Sequence, residues 1–268
     1  MFALVGILGA VAVPVHAQEP APTTLDLASF KMPRPVRQDK APAKPPSFTL
    51  ELTLGAGDFE HDTSGTPLDG ETDAGLLRGR FEGFGESGFG GGVEIEAIKS
   101  DDDLFTNAGF GESEASSLEI FGYGAYRVHS GNFLMPIRFG VFGREYQIEQ
   151  QTPSGEVEVT SLGIKLAAEP DIAFVATENV RFGVFANVAL GIGISEVETN
   201  LSSTKWDTST TTFGFDAGLR LRLSIATLSL AYIHREEAID ESDVEGGTRI
   251  PAFDTDFDGV ALTLGFNF

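Results

Sequence analysis

Two of the four histidines lie among carboxylates and could do acid–base chemistry. His61 lies between Glu60 and Asp62. His234 lies two residues before Glu236. A histidine paired with a carboxylate can act as a general base in hydrolysis. Neither histidine is part of an extended catalytic motif. The preferred interpretation is that both are polar surface residues at the rim of the fold, and a hydrolase active at the rim is an alternative.

The segment Asp-Thr-Asp-Phe-Asp-Gly at 254–259 could do metal chemistry. Alternating carboxylates followed by glycine can wrap a hard cation, which makes Asp254, Asp256 and Asp258 candidate ligands for a loop-bound calcium ion. Gly265 occupies the twelfth loop position, where an acidic ligand is required. The chain also has no cysteine, which excludes thiolate metal sites and disulfides. We therefore expect no cofactor and no resident metal.

Charge is distributed unevenly along the chain. Residues 18–47 carry five basic and three acidic residues, whereas residues 48–268 carry 13 basic and 37 acidic residues, a net charge of −24. Nucleic-acid binding requires clustered lysine and arginine to contact the phosphates. The composition therefore argues against a nucleic-acid partner, and a solvated acidic surface is its simplest interpretation.

Most of the basic residues belong to a pattern with a period of two. From Phe48 onward, apolar residues such as Leu50, Leu52 and Leu54 occupy every second position, with polar residues between them. This alternation predicts β-strands with one apolar and one polar face. The charged residues on the polar parity are Glu51, Arg78, Arg80, Glu82, Glu94, Glu96, Glu119, Arg127, Arg138, Arg144, Lys165, Glu169, Asp171, Arg181, Asp216, Arg220 and Arg222.

The connections between the alternating segments predict the topology. Short turns lie near 86–88, 129–132, 176–179 and 225–227. Long polar loops alternate with them, near 61–74, 99–115, 147–157, 196–211 and 237–256. Four turns and five loops join ten strands. The predicted fold is all-β, a ten-stranded antiparallel up-and-down transmembrane β-barrel, with eight strands as the next possibility.

The charges predict which face of the barrel meets lipid. An arginine or lysine that faces the hydrocarbon at the midplane costs about 2–4 kcal/mol, so the polar parity must face the lumen, where cations and anions can pair. A soluble barrel with an apolar lumen is the alternative. Small barrels are filled by side chains, which predicts a mostly closed lumen with at most a small conductance. Pro170 cannot donate to a ladder, so we expect a bulge or an early strand end in the long sixth strand, 158–176.

The N-terminal residues have the features of an export signal. Residues 1–17 are apolar and uncharged and end in Val15-His16-Ala17, a small-residue cleavage pattern. A membrane anchor is disfavoured because Pro14 interrupts the apolar run, which is shorter than the roughly 20 residues of a span. Residues 18–47 contain seven prolines, which favours an extended periplasmic tail. The expected domains are a signal peptide (1–17), a proline-rich tail (18–47) and a barrel (48–268).

The C-terminal residues carry a family resemblance. In the ending GVALTLGFNF, Val260, Leu262, Leu264, Phe266 and Phe268 occupy alternate positions. This ending resembles the signal that the bacterial barrel-assembly machinery reads. With the export signal and the strand layout, the chain resembles the small bacterial outer-membrane β-barrel proteins, a porin-like group.

The resemblance implies a location more than an activity. It implies the outer membrane of a Gram-negative bacterium, with periplasmic termini, extracellular loops, and membrane lipid, lipopolysaccharide and the assembly machinery as partners. One barrel scaffold serves many functions. We expect a non-enzymatic barrel with a charged, largely filled lumen that serves structure, surface interaction or limited small-solute passage, with a narrow selective porin as the alternative.

Overall fold

The computed structural model describes residues 47–65, 69–105, 112–150, 155–177, 179–200, 204–245 and 248–268. The expected signal peptide, and all of the proline-rich tail except Ser47, lie outside the described residues. Within those residues there is no helix that is long and apolar enough to cross a membrane.

The described chain is built from antiparallel strands, each paired with its neighbours along the chain. The strands are β1 (Phe48–Thr63), β2 (Gly70–Phe84), β3 (Phe89–Ser100), β4 (Ser113–Ser130), β5 (Phe133–Gln150), β6 (Gly155–Ala168), β7 (Asp171–Ala176), β8 (Val180–Thr199), β9 (Trp206–Leu223), β10 (Ala226–Ile239) and β11 (Phe253–Asn267). The first strand pairs with the last, for example Leu52 with Leu264, so the sheet closes on itself.

β6 and β7 together form one strand of the barrel. Both pair with β5 on one side and with β8 on the other. They are separated only by Glu169 and Pro170, where the proline nitrogen cannot donate to the ladder. The predicted interruption at Pro170 is therefore present, and the barrel has ten strands with up-and-down order, which confirms the predicted fold class.

An apolar belt surrounds the barrel. The alternate positions predicted to face lipid point outward, and Leu54, Leu162 and Phe268 expose 59%, 61% and 72% of their surfaces. The intervening positions point into the lumen and are mostly buried. An exposed apolar face this extensive is unsuited to water and matches the outward face of a membrane barrel.

The two ends of the barrel differ. At one end, here called the turn end, Gly88 (φ 85°) and Gly131 (φ 58°) lie in tight turns that require a left-handed backbone. At the other end, here called the loop end, the strands extend into the segments predicted as loops. β2 begins at Gly70, β9 at Trp206 and β11 at Phe253. The segments predicted as loops are therefore partly strand.

The strands extend because the alternation continues with its two faces exchanged. Beyond the apolar belt the outward positions of β1 become acidic, with Asp58, Glu60 and Asp62, while Phe59 and His61 between them are buried inside. Outside the lipid the outer face meets water and the interior becomes an apolar core, as in a soluble barrel. A strand boundary predicted from apolar residues at the lipid-facing positions therefore lies too early.

Candidate functional site

The lumen is crossed by ion pairs that join distant strands. Arg78 of β2 donates to Asp216 of β9 at 2.8 Å. Arg235 of β10 donates to Glu96 of β3 at 2.8 and 2.9 Å and to Asp216 at 2.6 Å. The first pair and the Arg235–Glu96 pair each join strands that lie four positions apart around the ten-strand barrel, when β6 and β7 are counted as one. These side chains therefore reach almost straight across the interior.

Glu169 is the centre of the network toward the turn end. Its carboxylate accepts hydrogen bonds from Arg80 at 2.7 Å, from Arg138 at 3.1 Å and from Arg220. Glu169 lies between β6 and β7 and continues the inward parity of Ala167, so that only 3% of its surface is exposed. Three guanidinium groups from three walls of the barrel therefore share one buried carboxylate.

The remaining sequence-predicted charges lie around this centre. Arg80 also contacts Glu94 at 2.6 Å and Glu51 at 3.6 Å. The other contacts are Arg138 with Glu82 (3.2 Å), Lys165 with Glu119, Arg181 with Asp171 (3.0 Å), and Arg222 with Asp171 (3.4 Å). Arg127 differs, since its guanidinium lies 4.3 Å from the centre of the Phe84 ring. The structure thus brings the predicted charged residues together inside the barrel.

Two members of the network were missed from sequence. Arg235 bridges Glu96 and Asp216, and Glu237 lies 3.0 Å from Arg144 with 1% of its surface exposed. Both lie on the inward parity of β10. Continuing that parity to residue 237 identifies both: Arg235 lies near the end of the predicted strand, and Glu237 is the first residue of the predicted loop 237–256.

Large side chains fill the space that the ion pairs leave. The Phe142 ring lies in the lumen against Gly163 and Gly191, where an added Cβ would come within 2.6 and 3.1 Å of it. Two cavities within the network measure about 30 Å³ each, one lined by Glu94 and Lys165, the other by Glu82. Each has room for a water molecule or two and for no larger solute.

An apolar core closes the loop end. Buried side chains from most of the strands meet there: Phe59, Leu76, Ile98, Leu104, Phe105, Tyr146, Val159, Val197, Trp206, Ile233, Ile239, Phe253 and Phe257. Tyr146 of β5 packs against Phe59 of β1 and against Phe253 of β11, with ring centres 6.5 and 6.2 Å apart. Phe105, Trp206 and Phe253 lie in segments predicted as long loops, and all three are part of this core.

His61 belongs to this core, beyond the apolar belt. Its ring nitrogens form hydrogen bonds of 3.0 Å with the Tyr146 hydroxyl and the Thr63 hydroxyl. Burial, which disfavours the charged ring, lowers the pKa of His61 to about 4. With 4% of its surface exposed and both nitrogens engaged, His61 is not accessible as a general base.

Outside the barrel, just beyond the belt, carboxylates of four adjacent strands face one another. In β1 and β11, Asp58 pairs with Asp258, Glu60 with Asp256 and Asp62 with Asp254. We call the outward set the acidic ladder; it comprises Glu71 and Asp73 of β2, Asp58, Glu60 and Asp62 of β1, Asp254, Asp256 and Asp258 of β11, and Glu236 of β10. Partial burial and then the charge of Glu236 raise the pKa of Asp256 to about 6.

The acidic ladder bears on the candidate calcium ligands at 254–258. Asp254, Asp256 and Asp258 lie in β11 with their side chains on one face of an extended strand. Alternate residues in a strand are about 6.6 Å apart, so these three carboxylates do not wrap around a common centre as a calcium loop does. The segment forms a strand because the aspartates alternate with the inward-facing Thr255 and Phe257.

His234 lies at the edge of the acidic ladder. It is on the outward parity of β10, opposite Asp258, and its Nδ1 lies 3.0 Å from the Asp258 carboxylate. Its side chain is 22% exposed. Of the two histidines singled out from sequence, this one has both a carboxylate partner and contact with solvent.

Comparison with known proteins supports the architecture. No family model and no curated protein matches the chain. Among solved structures, the barrel is similar to the outer membrane protease OmpT from Escherichia coli, with a TM-score of 0.50 and 10% identity over 86% of this chain and 99% of that one. At this identity the likeness shows the fold, that of outer-membrane β-barrels.

Other similar structures are named for different activities. They include the transport unit of the autotransporter AIDA-I from Escherichia coli (TM-score 0.41, 10% identity, 89% of this chain and 93% of that one). The translocator domain of NalP from Neisseria meningitidis is a further example (TM-score 0.39, 11% identity, 82% and 88%).

Proposed function

We propose that this chain is a non-enzymatic outer-membrane β-barrel with a sealed lumen, which serves structure or surface interaction at the bacterial surface. The observation that carries the proposal is the double closure of the interior. Charged side chains that join distant strands fill the lumen within the apolar belt, and the apolar core fills it at the loop end.

The two closures oppose permeation for different reasons. A solute in the charged layer would have to separate buried ion pairs, and leaving one buried partner unpaired costs about 3–5 kcal/mol. An ion in the apolar layer would lose its hydration with no polar group to replace the water. The cavities of about 30 Å³ within the network hold little more than water, so limited passage is restricted to the smallest solutes.

The proposed orientation places the turn end in the periplasm and the loop end outside. Bacterial barrels have short periplasmic turns and longer external loops. The terminal residues Leu264, Phe266 and Phe268 face outward from the closing strand, where the assembly machinery and then lipid would meet them. The acidic ladder lies beyond the belt on the outer side, at the level of lipopolysaccharide headgroups.

Planar-bilayer recording of the refolded full chain tests the seal. The wild type should show no stable conductance steps. Alanine at Arg80, Arg138 and Glu169 removes the charged centre, whereas alanine at Tyr146 and Phe253 opens the apolar core. Each set alone should leave the barrel closed and the combination should conduct, because the two layers block in series. Stable open channels in the wild type would overturn the proposal in favour of a narrow selective porin.

A rim hydrolase is the second candidate, because His234 and Asp258 form a partly exposed histidine–carboxylate pair. His61 does not support it, since that ring is buried among aromatic side chains. If purified protein hydrolyses peptide or lipid ester substrates, loss of that activity in His234→Ala but not in His129→Ala would establish the enzyme and overturn the non-enzymatic proposal.

A further inference from the structure

His234, Glu236 and Asp256 come together on the outer face of the barrel in a way that the acidic ladder alone does not explain. Each offers one ligand atom, and these atoms all lie within 4.8 Å of one another. The register between β10 and β11 causes this, because Glu236 pairs directly with Asp256 and His234 is the next outward residue on the same strand. Among the described residues the cluster combines an imidazole with two carboxylates.

The orientation of the imidazole is a second, independent observation. Nδ1 lies 3.0 Å from Asp258, and since a carboxylate only accepts, the neutral ring donates its proton there. Nε2 is thereby left with its lone pair, and it faces the Glu236 carboxylate at 3.9 Å, which is too long for a hydrogen bond. Metal-binding histidines have this arrangement: one nitrogen donates to a carboxylate and the other binds the ion.

Neighbouring side chains hold the ring in this orientation. Asp258 also accepts a hydrogen bond from the Tyr232 hydroxyl, which fixes the carboxylate that orients His234. The Phe213 ring of β9 packs against the imidazole with 5.7 Å between the ring centres. Asp258 and Phe213 therefore position the histidine, while Glu236 is about half exposed and can rotate toward a bound ion.

We propose that His234 Nε2, Glu236 and Asp256 bind one divalent transition-metal ion of the zinc class, with Asp258 as the carboxylate that orients the histidine. One imidazole nitrogen and two carboxylate oxygens are a ligand set that suits zinc and similar first-row ions, whereas calcium and magnesium prefer oxygen alone. In a tetrahedral zinc site the ligand atoms are about 3.4 Å apart, given bonds of roughly 2.0–2.2 Å, so small side-chain rotations complete the site.

The site has a fourth position that is open toward solvent and the headgroup region. The ion would neutralise the repulsion between Glu236 and Asp256, which lie directly opposite each other on adjacent strands, where like charges are destabilising. It would also link β10 to β11, next to the seam at which β11 closes on β1.

Cobalt binding to the refolded full chain in detergent micelles tests the proposal. Cobalt(II) reports its ligand environment through visible absorption, and competing zinc should remove the signal at one ion per chain. His234→Gln should abolish the absorption. Asp258→Asn should weaken binding by about 10–100-fold, as expected for loss of an orienting partner. Asp73→Asn is the matched control, because it removes a carboxylate of the acidic ladder two strands away from Asp256.

A second measurement needs no variant. Zinc should protect His234 from acylation by diethyl pyrocarbonate, mapped by mass spectrometry, while the exposed His129 at the turn end reacts equally with and without zinc. The proposal is overturned if calcium competes as well as zinc, if Asp73→Asn lowers affinity as much as His234→Gln, or if zinc leaves His234 reactive. Each of these results would mean that cations are held only by the general charge of the acidic ladder.

Discussion

Glu169→Gln should be among the most destabilising single substitutions in the lumen. The change removes one negative charge while keeping the size of the side chain. It leaves Arg80, Arg138 and Arg220 arranged around a neutral amide, in a position where Glu169 is 3% exposed. Removing one partner of a buried ion pair costs about 3–5 kcal/mol, because the remaining charge stays buried without compensation.

The other partners of the three arginines determine how much of the free energy of unfolding is lost within this range. Arg80 keeps Glu94 at 2.6 Å, and Arg138 keeps Glu82 at 3.2 Å. Arg220 keeps Asp171, at the longer distance of 3.7 Å. Two of the three guanidinium groups thus retain close partners, so we expect about 3 kcal/mol, the lower end of the range.

Urea unfolding in lipid vesicles measures this change. The single tryptophan, Trp206, is buried in the apolar core at the loop end, far from the substitution, so its fluorescence reports whether the whole barrel unfolds. Glu198→Gln is the matched control: it makes the same chemical change in an exposed pair with Lys205, and its midpoint should equal that of the wild type.

A double variant tests the assigned contact. If Glu169 and Arg138 interact as the structure shows, Glu169→Gln combined with Arg138→Gln should cost less than the sum of the two single changes. A loss below about 1 kcal/mol in Glu169→Gln, or strict additivity in the double variant, would refute the view that the buried charges depend on one another.

Three further predictions concern the apolar core, the packing of the lumen and the lipid face. Because the pKa of His61 is lowered to about 4, the unfolded chain binds more protons between about pH 4 and 6.5, so stability should fall as the pH is lowered through that window. At pH 4.5 this effect lowers the free energy of unfolding by about 2.5 kcal/mol relative to neutral pH. His61→Phe should remove that part of the pH dependence in urea titrations. Gly163→Val should destabilise the barrel by about 1–3 kcal/mol in the same assay, because a Cβ at this position meets the backbone carbonyl of Ile192 and, at 2.6 Å, the Phe142 ring, whereas Gly79→Val, on the open outer face, should be tolerated. Leu264→Arg should cost about 2–4 kcal/mol in vesicles, and an unchanged midpoint would contradict the assignment of this face to lipid.

Much of the architecture could be predicted from local patterns. In a strand, alternate residues face opposite sides, so the run Leu50, Leu52 and Leu54 is enough to define a lipid face and to place Glu51 inside. The same rule, applied along the chain, identified ten strands and most of the charges that the structure places in the lumen. Pro170 marked the interruption of the sixth strand because the missing amide donor is a property of the residue itself.

The rule failed where the surroundings of the strand changed. The predicted loop 237–256 includes Asp254 and Asp256, although both belong to β11, with polar residues outside and Phe253 and Phe257 inside. The alternation continues, but its apolar residues move from the outward to the inward positions. A search for apolar residues at the outward positions alone does not find this part of the strand. The predicted network also lacks Arg235 and Glu237, which lie on the inward parity at the loop end of β10.

The sequence by itself determined the face on which each side chain lies, since a period of two depends only on the extended backbone. Only the tertiary structure decided which side chains meet. Arg78 and Asp216 are 138 residues apart and pair because the closed barrel places β2 and β9 on facing walls. Glu236 and Asp256 come together, with His234 next to them, because the register of β10 and β11 pairs Glu236 with Asp256 and His234 with Asp258. Closure and register depend on hydrogen bonds between strands distant in the chain, and no local pattern records them.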